Sequence, residues 1–274
     1  MGKARKEKQN RTPLRGPQVH ALSTSRRSSS FTRAFLQGRA AIMGVLPVLA
    51  IVFVTRVTLA EAYRIPSGSM EPTLLAGDWL FVNKLRLGPQ IPFTSLTLPG
   101  YAEPARGDVV VFVSPSQDPA IRISPDQLTP TLVKRIVGIP GDTLSMRGGV
   151  LFVNGIVSSP RNSVHTLADG VVNQEHPLFA WQHQIEVYGS RFGRPPTLPT
   201  LHTWGPVVVP RGSFFMIGDN RDNSVDSRYY GPVPRANLRG TPMFVYYSYD
   251  TEAGLDYFRA VTAIRWSRLG TWIR

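Results

Sequence analysis

Two serines in a short turn are the first residues of this 274-residue sequence that could carry out chemistry. Ser67 and Ser69 belong to the run IPSGSMEPTL, residues 65–74. Pro66 fixes its own backbone angle and lacks an N–H donor, and Gly68 permits a positive φ, so the run predicts a bend. A serine held clear of regular backbone is a candidate nucleophile. A serine in a Gly- and Pro-rich turn is also ordinary loop chemistry.

A nucleophilic serine needs a base that accepts its proton, and this sequence offers few. None of the five histidines has an Asp or Glu in a motif-like relation to it, and no Gly-x-Ser-x-Gly motif surrounds Ser69, which disfavours a histidine triad. Arginine does not lose its proton in proteins and is excluded as a base. Three of the five lysines lie in the first eight residues, which leaves Lys84 and Lys134.

The two lysines have different predicted surroundings. Lys84 ends a strand-like segment before a Gly-Pro turn, which is typical of a solvated side chain. Strand alternation places Lys134 on one face with Leu132 and Ile136. Burial on such a face lowers a lysine pKa because the charged form loses hydration, and a base needs a shift of about two units. Lys134 is the better candidate, and a lysine snorkelling from a half-buried strand is the alternative.

A third polar cluster, residues 218–228, reads GDNRDNSVDSR and follows a hydrophobic segment. Taken alone it could be a tight loop of Asx turns. It could also bind a cation, although its spacing differs from that of an EF-hand loop. The sequence contains no His-Glu-x-x-His motif, and we expect neither a metal nor another cofactor.

Positive charge is concentrated at the N-terminus. Residues 1–39 contain ten of the 31 basic residues and one of the 18 acidic residues, so they carry nine of the net +13 charges. This segment predicts a disordered basic tail. A basic tail could bind nucleic acid, but its position before an apolar segment favours a cytoplasmic, membrane-flanking role. The absence of cysteine excludes disulfides and thiolate catalysis.

An apolar segment follows the tail. No residue from 40 to 55 is charged, and the run can extend past Arg56 if that side chain snorkels to the interface. We predict one transmembrane helix over residues 40–62, with the basic side in the cytoplasm and the rest of the chain outside. The alternative is a secretory signal cleaved at the small-x-small sequence of residues 60–62.

The remaining sequence predicts a mostly β, antiparallel fold. Short β-branched and aromatic segments recur between Gly, Pro, Asn and Asp residues, and no sustained helical period interrupts them. We expect a catalytic β domain over residues 63–155 and 204–254, interrupted by a small inserted β subdomain at 156–203. Residues 255–274 mix aromatic and Arg residues, which fits either a segment at a membrane interface or an element that closes the β domain.

Four stretches together make this sequence resemble the bacterial type I signal peptidases, or leader peptidases, a family of Ser–Lys dyad proteases. They occur in the family's order as SGSMEPT (67–73), RGDVV (106–110), KRIVGIPGD (134–142) and GDNRDNSVDSR (218–228). RWSRLG at residues 265–270 is also similar to family C-termini. The resemblance covers the chain discontinuously from residue 63 to 250 and leaves out the tail.

The resemblance implies a membrane-bound endopeptidase that cuts signal peptides from exported preproteins after small-x-small sites. Ser69 would be the nucleophile and Lys134 the general base, with the Ser69 N–H and Ser67 hydroxyl as the oxyanion hole. Ser224 would orient the lysine, supported by an Asp226–Arg228 pair. Apolar pockets for small substrate side chains would involve Ile65, Pro66, Met70, Leu74, Leu132 and Val133, although the family often has an aromatic residue at the position of Leu132.

The implied location is the bacterial inner membrane, with a single span and the catalytic domain on the periplasmic side. We expect signal peptides and the lipid bilayer as partners, no nucleic acid, and a monomer. Two alternatives remain open from the residues. A membrane-anchored β domain could bind peptides without cutting them, or a Ser–Lys self-cleaving regulator could share the fold.

Overall fold

The computed structural model describes residues 43–48, 52, 60–89, 91, 94, 96–115, 130–158, 163–164, 177–186, 198–251 and 263–274. The chain separates into two compact units, Met1–Ile51 and Val52–Arg274. In the first unit, residues 43–48 are helical. No helix within the described residues is both long and apolar enough to span a bilayer. The predicted tail lies outside the described residues, as do most residues of the predicted anchor.

The second unit is mostly β and its described strand pairs are antiparallel, which confirms the predicted fold class. A seven-stranded sheet has the order β1-β2-β11-β3-β4-β9-β10, and a four-stranded sheet has the order β7-β6-β5-β8. The strands are β1 (Ala60–Arg64), β2 (Asp78–Asn83), β3 (Val109–Val113), β4 (Thr131–Gly138), β5 (Thr143–Arg147), β6 (Val150–Val153), β7 (Ile156–Val157), β8 (Trp204–Val208), β9 (Ser213–Ile217), β10 (Val233–Pro234) and β11 (Leu238–Ser248).

Short helical turns complete the described part. One α-helical turn, α1 (Ser227–Tyr230), follows the polar cluster, and the carboxylate of Asp226 accepts from the Arg228 N–H at its start. Three 3-10 turns span Pro177–Gln184, Arg235–Asn237 and Trp266–Arg268.

The middle strands of the large sheet, β3, β4 and β9, are buried on both faces, which explains their mostly apolar sequences. In β3, Val110 and Phe112 pack into one cluster, while Val109 and Val111 pack into another on the opposite face. Successive strand residues point to opposite faces, so a strand covered on both sides needs apolar residues throughout. β4 is held in the same way, because Leu132 and Ile136 pack into one cluster and Val137 packs into another.

The small sheet differs from the predicted insertion. We placed the small subdomain within residues 156–203, but β5, β6 and β8 lie outside that range and only β7 lies inside it. The strands that flank the insertion pair with each other, because β5 bonds to both β6 and β8. Residues 177–184 of the insertion form a 3-10 turn, and Trp181 packs against the core beneath this sheet.

The end of the predicted anchor is a strand. Residues 60–62 belong to β1, where Ala60 pairs with Asn83 and Ala62 pairs with Phe81 of β2. β1 is the last strand at one edge of the large sheet. The β domain thus begins at least three residues earlier than predicted.

The C-terminal segment closes the β domain. Within residues 263–274, Ile264 bridges to Tyr249 and Trp272 bridges to Phe244 of β11. Ile273 packs against the core. Trp266 and Trp272 nevertheless remain 72% and 66% exposed. Of the two predicted roles for this segment, contact with the sheet is therefore observed.

Candidate active site

The turn that carries Ser69 is anchored in the core by its own apolar residues. Met70 and Leu74 are 1% and 0% exposed and pack with residues of β2, β3 and β11. The Glu71 N–H donates to the Gly68 carbonyl (3.0 Å), and the Leu74 N–H donates to the Met70 carbonyl (2.9 Å). Gly68 does not adopt the positive φ that a glycine permits. A Cβ at this position would lie 2.7 Å from the Glu71 carboxylate, so any larger residue would displace that side chain.

Lys134 is the lysine that reaches the candidate nucleophile. Its Nζ donates a hydrogen bond to Ser69 Oγ, and its side chain is almost fully buried. Leu132 and Ile136, on the same strand face, belong to one buried cluster, which is the alternation that the sequence predicted. The pKa of Lys134 is lowered from 10.5 to about 8, chiefly because burial desolvates the charged form. Asp226 opposes this shift, and the positive charge of Arg228 adds to it.

The other candidate bases within the described residues have partners other than Ser69. Lys84 Nζ pairs with the Glu61 carboxylate at 2.5 Å. His202 Nε2 is 2.8 Å from Asp222 Oδ1, a pairing that sequence reasoning missed. His183 pairs with Glu186. The three remaining histidines lie outside the described residues.

The polar cluster packs behind Lys134. The Arg228 guanidinium binds both carboxylate oxygens of Asp226 at 2.8 Å, and both side chains are fully buried. Burial alone would raise the pKa of Asp226, but the charge of Arg228 outweighs it and holds this pKa below its usual value. The Ser224 hydroxyl is buried and makes no hydrogen bond to Lys134, so the bond that the resemblance implies is not formed here. Ser224 instead helps to lower the pKa of the Asp226 carboxyl.

A cleft of about 300 Å³ lies over Ser69 and Lys134. It is lined by Ser67 and Ser224 and by five of the six predicted pocket residues, namely Ile65, Pro66, Met70, Leu132 and Val133. Leu74 is the exception, because it points into the core and does not line the cleft. Sequence reasoning missed further lining residues at both ends: Tyr63, Arg64, Thr131, Asp222, Asn223, Val225 and Tyr229.

A second buried ion pair fixes the nucleophile turn from the other side of β4. Arg135 donates through Nε and Nη2 to the two carboxylate oxygens of Asp219, at 2.8 and 2.7 Å. Asp219 in turn accepts from the Thr73 hydroxyl, and Arg135 Nη1 donates to the Gly107 carbonyl (2.7 Å). Arg135 therefore ties the turn to two strand ends. The only sequence signal for this network was that Arg135 faces away from Lys134.

Comparison with known proteins shows which family this chain belongs to. Residues 39–247 match the family described as signal peptidase, peptidase S26. Signal peptidase I of Pseudomonas fluorescens is 38% identical over 217 residues, covering 74% of this chain and 70% of that relative. The chain belongs to the signal peptidase family, peptidase S26.

Other members of the signal peptidase family are similarly related. Signal peptidase I of Aquifex aeolicus is 33% identical over 236 residues, covering 74% of this chain and 81% of that protein. Signal peptidase I of Haemophilus influenzae is 29% identical over 296 residues, covering 94% and 85%. A crystal structure of a signal peptidase I from Enterococcus faecalis is 27% identical and covers 51% of this chain and 96% of that chain, with a TM-score of 0.31.

Membership in the signal peptidase family confirms the resemblance found in the sequence. It also makes this chain a serine peptidase, as predicted.

Proposed function

We propose that this chain is a membrane-bound serine endopeptidase that removes N-terminal signal peptides from exported preproteins. It uses a Ser–Lys dyad, in which Ser69 is the nucleophile and Lys134 the general base. One observation carries the proposal: a buried Lys134 is hydrogen-bonded to Ser69 Oγ at the floor of a cleft. A lysine with a pKa near 8 is neutral in about one molecule in ten at pH 7, compared with roughly one in a few thousand for an ordinary lysine, and a base must be neutral to accept a proton.

The reaction proceeds in two halves. Neutral Lys134 accepts the Ser69 hydroxyl proton as Oγ bonds to the scissile carbonyl carbon, and the carbonyl oxygen becomes an oxyanion. The Lys134 ammonium then gives this proton to the departing amine as the C–N bond breaks, which leaves an acyl-enzyme. A water attacks the ester after losing a proton to Lys134, and that proton returns to Ser69 Oγ as the ester bond breaks.

The oxyanion needs donors that are already in place when its charge develops. The N–H of Ser69 and the hydroxyl of Ser67 fill this role in the proposal. Ser67 is exposed and lines the cleft, two residues before the nucleophile. Asp226 and Arg228 support the lysine from behind by setting the field at Lys134. Ser224 lines the same cleft and would orient the lysine after a change of its side-chain conformation, because its hydroxyl does not bond to Lys134 in the structure.

The substrate binds as an added strand between two incompletely paired segments. β1 pairs with β2 alone, and the pairing of β4 with β9 begins at Arg135, which leaves Thr131–Val133 paired on one side in the described structure. Main-chain bonds along such edges would supply affinity. The apolar wall of Ile65, Pro66, Met70, Leu132 and Val133 would admit small side chains at the first and third positions before the cut.

The sequence and the family both support a membrane location. Residues 40–59 supply the apolar anchor, and the basic tail before it keeps the N-terminus in the cytoplasm. The catalytic domain would then lie on the periplasmic side of the bacterial inner membrane, where it acts as a monomer on signal peptides and contacts the lipid bilayer. No nucleic-acid role is assigned to the tail.

The test is cleavage of a precursor with an Ala-x-Ala site by detergent-solubilised protein. Wild type should cut it, Ser69→Ala and Lys134→Ala should be inactive, and Lys84→Ala should retain full activity. Lys84 is the matched control because it is the other lysine of the folded domain. Failure of the wild type to cut would favour a peptide-binding domain, and full activity of Lys134→Ala would eliminate the dyad.

A further inference from the structure

Asn220 makes two hydrogen bonds to the nucleophile turn, and one of them is to the peptide group that contains the Ser69 N–H. Its side-chain Nδ2 donates to the Gly68 carbonyl oxygen at 3.3 Å. Its backbone N–H donates to the Ser69 carbonyl oxygen at 3.2 Å. Asn220 is 2% exposed and does not line the cleft, so it reaches the turn from beneath.

The Gly68 carbonyl and the Ser69 N–H belong to the same planar peptide group. A hydrogen bond that fixes the direction of the carbonyl therefore fixes the direction of the N–H, which points the opposite way. This control is needed here because glycine allows its flanking peptide groups an unusually wide range of orientations. The bond to the carbonyl also polarises the peptide group, which makes its N–H a stronger donor.

Asn220 is itself held in place. Val164 forms a parallel bridge to it: the Val164 N–H donates to the Asp219 carbonyl, and the Arg221 N–H donates to the Val164 carbonyl, both at 2.9 Å. Gly218 lets this segment approach the turn closely, since a Cβ there would lie 2.4 Å from the Ser69 carbonyl oxygen. The donor is therefore preorganised before substrate arrives.

We propose that Asn220 is a positioning residue that aims the oxyanion-stabilising N–H of Ser69 by holding the Gly68–Ser69 peptide group. This inference rests on the proposed function. It assigns to the polar cluster a second role, distinct from its support of Lys134.

The first test is the kinetics of Asn220→Ala. Loss of an oxyanion donor costs about 10²–10³-fold in kcat, and misdirection of one should cost about 10–100-fold, with KM nearly unchanged. Asn237→Ala is the matched control, because Asn237 Nδ2 also donates to a backbone carbonyl, that of Val113 at 2.8 Å, away from the cleft. Asn237→Ala should retain the wild-type kcat. A wild-type kcat for Asn220→Ala would overturn the inference.

A second readout separates positioning from general damage. A peptide aldehyde forms a hemiacetal oxyanion with the serine, so its affinity for Asn220→Ala should fall by the same factor as kcat/KM. The Kd of a substrate peptide, measured on the inactive Lys134→Ala background, should not change when Asn220→Ala is added. Equal losses for aldehyde and substrate would mean that Asn220 only maintains the fold, which contradicts the proposal.

A third test uses NMR to observe the Gly68–Ser69 peptide group directly, without substrate cleavage. Protein labelled with carbonyl-¹³C glycine and ¹⁵N serine gives signals from the Gly-Ser pairs at residues 68–69, 189–190 and 212–213. The Ser69 signal is identified by its loss in Ser69→Ala. It should shift in Asn220→Ala and stay in place in Asn237→Ala, and an unmoved signal would refute the proposed contact.

The outcomes for the two proposals are distinguishable. If the wild type cuts, Ser69→Ala is inactive and Asn220→Ala keeps its kcat, only the role of Asn220 is wrong. If the wild type never cuts, the proposed function fails, and the role of Asn220 fails with it.

Discussion

Lys134 Nζ donates to Ser69 Oγ between residues that lie 65 positions apart in the sequence. The contact joins a strand buried on both faces to a turn whose Met70 and Leu74 side chains pack into the core. Neither residue needs to move to meet the other. The Lys134 side chain has lost almost all of its hydration, which destabilises its charged form.

The pH dependence of cleavage should report the Lys134 pKa. Only neutral Lys134 can accept the Ser69 proton, so kcat/KM should rise with pH and reach half of its plateau near the pKa of about 8. At two units below this pKa, activity should be about 100-fold lower than the plateau. A pH series of peptide cleavage measures this. Lys84→Ala should give the same midpoint, and a midpoint near 10.5 would contradict a buried base.

Replacement of Lys134 by methionine should stabilise the protein while it abolishes cleavage. A pKa lowered from 10.5 to about 8 corresponds to roughly 3 kcal/mol of unfavourable free energy in the folded state at pH 7. The folded state releases this proton near pH 8, whereas the unfolded chain keeps it to about 10.5. Wild type therefore gains stability as pH rises through this window, and the advantage of Lys134→Met should shrink. Urea unfolding at pH 7 and pH 10 measures both values, and a destabilised variant at pH 7 would contradict the prediction.

Loss of the Arg135 side chain should strongly destabilise the fold. Arg135→Met leaves the Asp219 carboxylate buried without its partner, which costs about 3–5 kcal/mol. Arg86→Ala removes a more exposed ion pair with Asp108 and should cost less than about 1 kcal/mol. Urea unfolding curves compare the two variants, and similar losses for both would show that the buried network is not a major contribution.

Leu132 should set the width of the substrate pocket. It lines the cleft and also packs with Val110 in the core. Leu132→Tyr should narrow the pocket and raise the preference for alanine over leucine in the substrate by about 10-fold or more in kcat/KM, since each excess methylene is worth about 1–3 kcal/mol. Competition between two peptides measures this preference. Val110→Ala changes the same core cluster without lining the cleft and should leave the preference unchanged.

The exposed tryptophans should contribute to membrane affinity. Trp266 and Trp272 are held against β11 by the bridges of the C-terminal segment but remain largely exposed, and indole side chains favour the bilayer interface. The double variant Trp266→Ala/Trp272→Ala should weaken vesicle binding of a form lacking residues 1–59, with little change in cleavage of a soluble peptide. Val157→Ala is the control, because Val157 is an exposed apolar residue of β7, outside the C-terminal segment. Its vesicle binding should equal that of the unchanged form. Unchanged vesicle binding would argue for a purely structural segment.

The sequence predicted the local placement of side chains better than the contacts between residues that are distant in the chain. Strand alternation was enough to place Lys134 on an apolar face, because a two-residue period leaves only two choices. Leu74 was assigned to the pocket from its place in a motif, but the turn folds back after Met70 and directs Leu74 into the core. The Arg135–Asp219 and Asn220–Gly68 contacts join residues 84 and 152 positions apart, and no local pattern encodes such pairings. The small sheet was misplaced because its strands pair across the insertion.

Lys134 and Arg135 are neighbours on β4, yet one contacts Ser69 and the other binds Asp219 on the opposite side. A shift of β4 by a single residue would exchange the two faces. A guanidinium, which cannot give up its proton, would then confront the nucleophile. Such a molecule would be folded but catalytically inactive. The fraction of active sites in a preparation is therefore also a measure of how accurately one strand has been aligned with its neighbours.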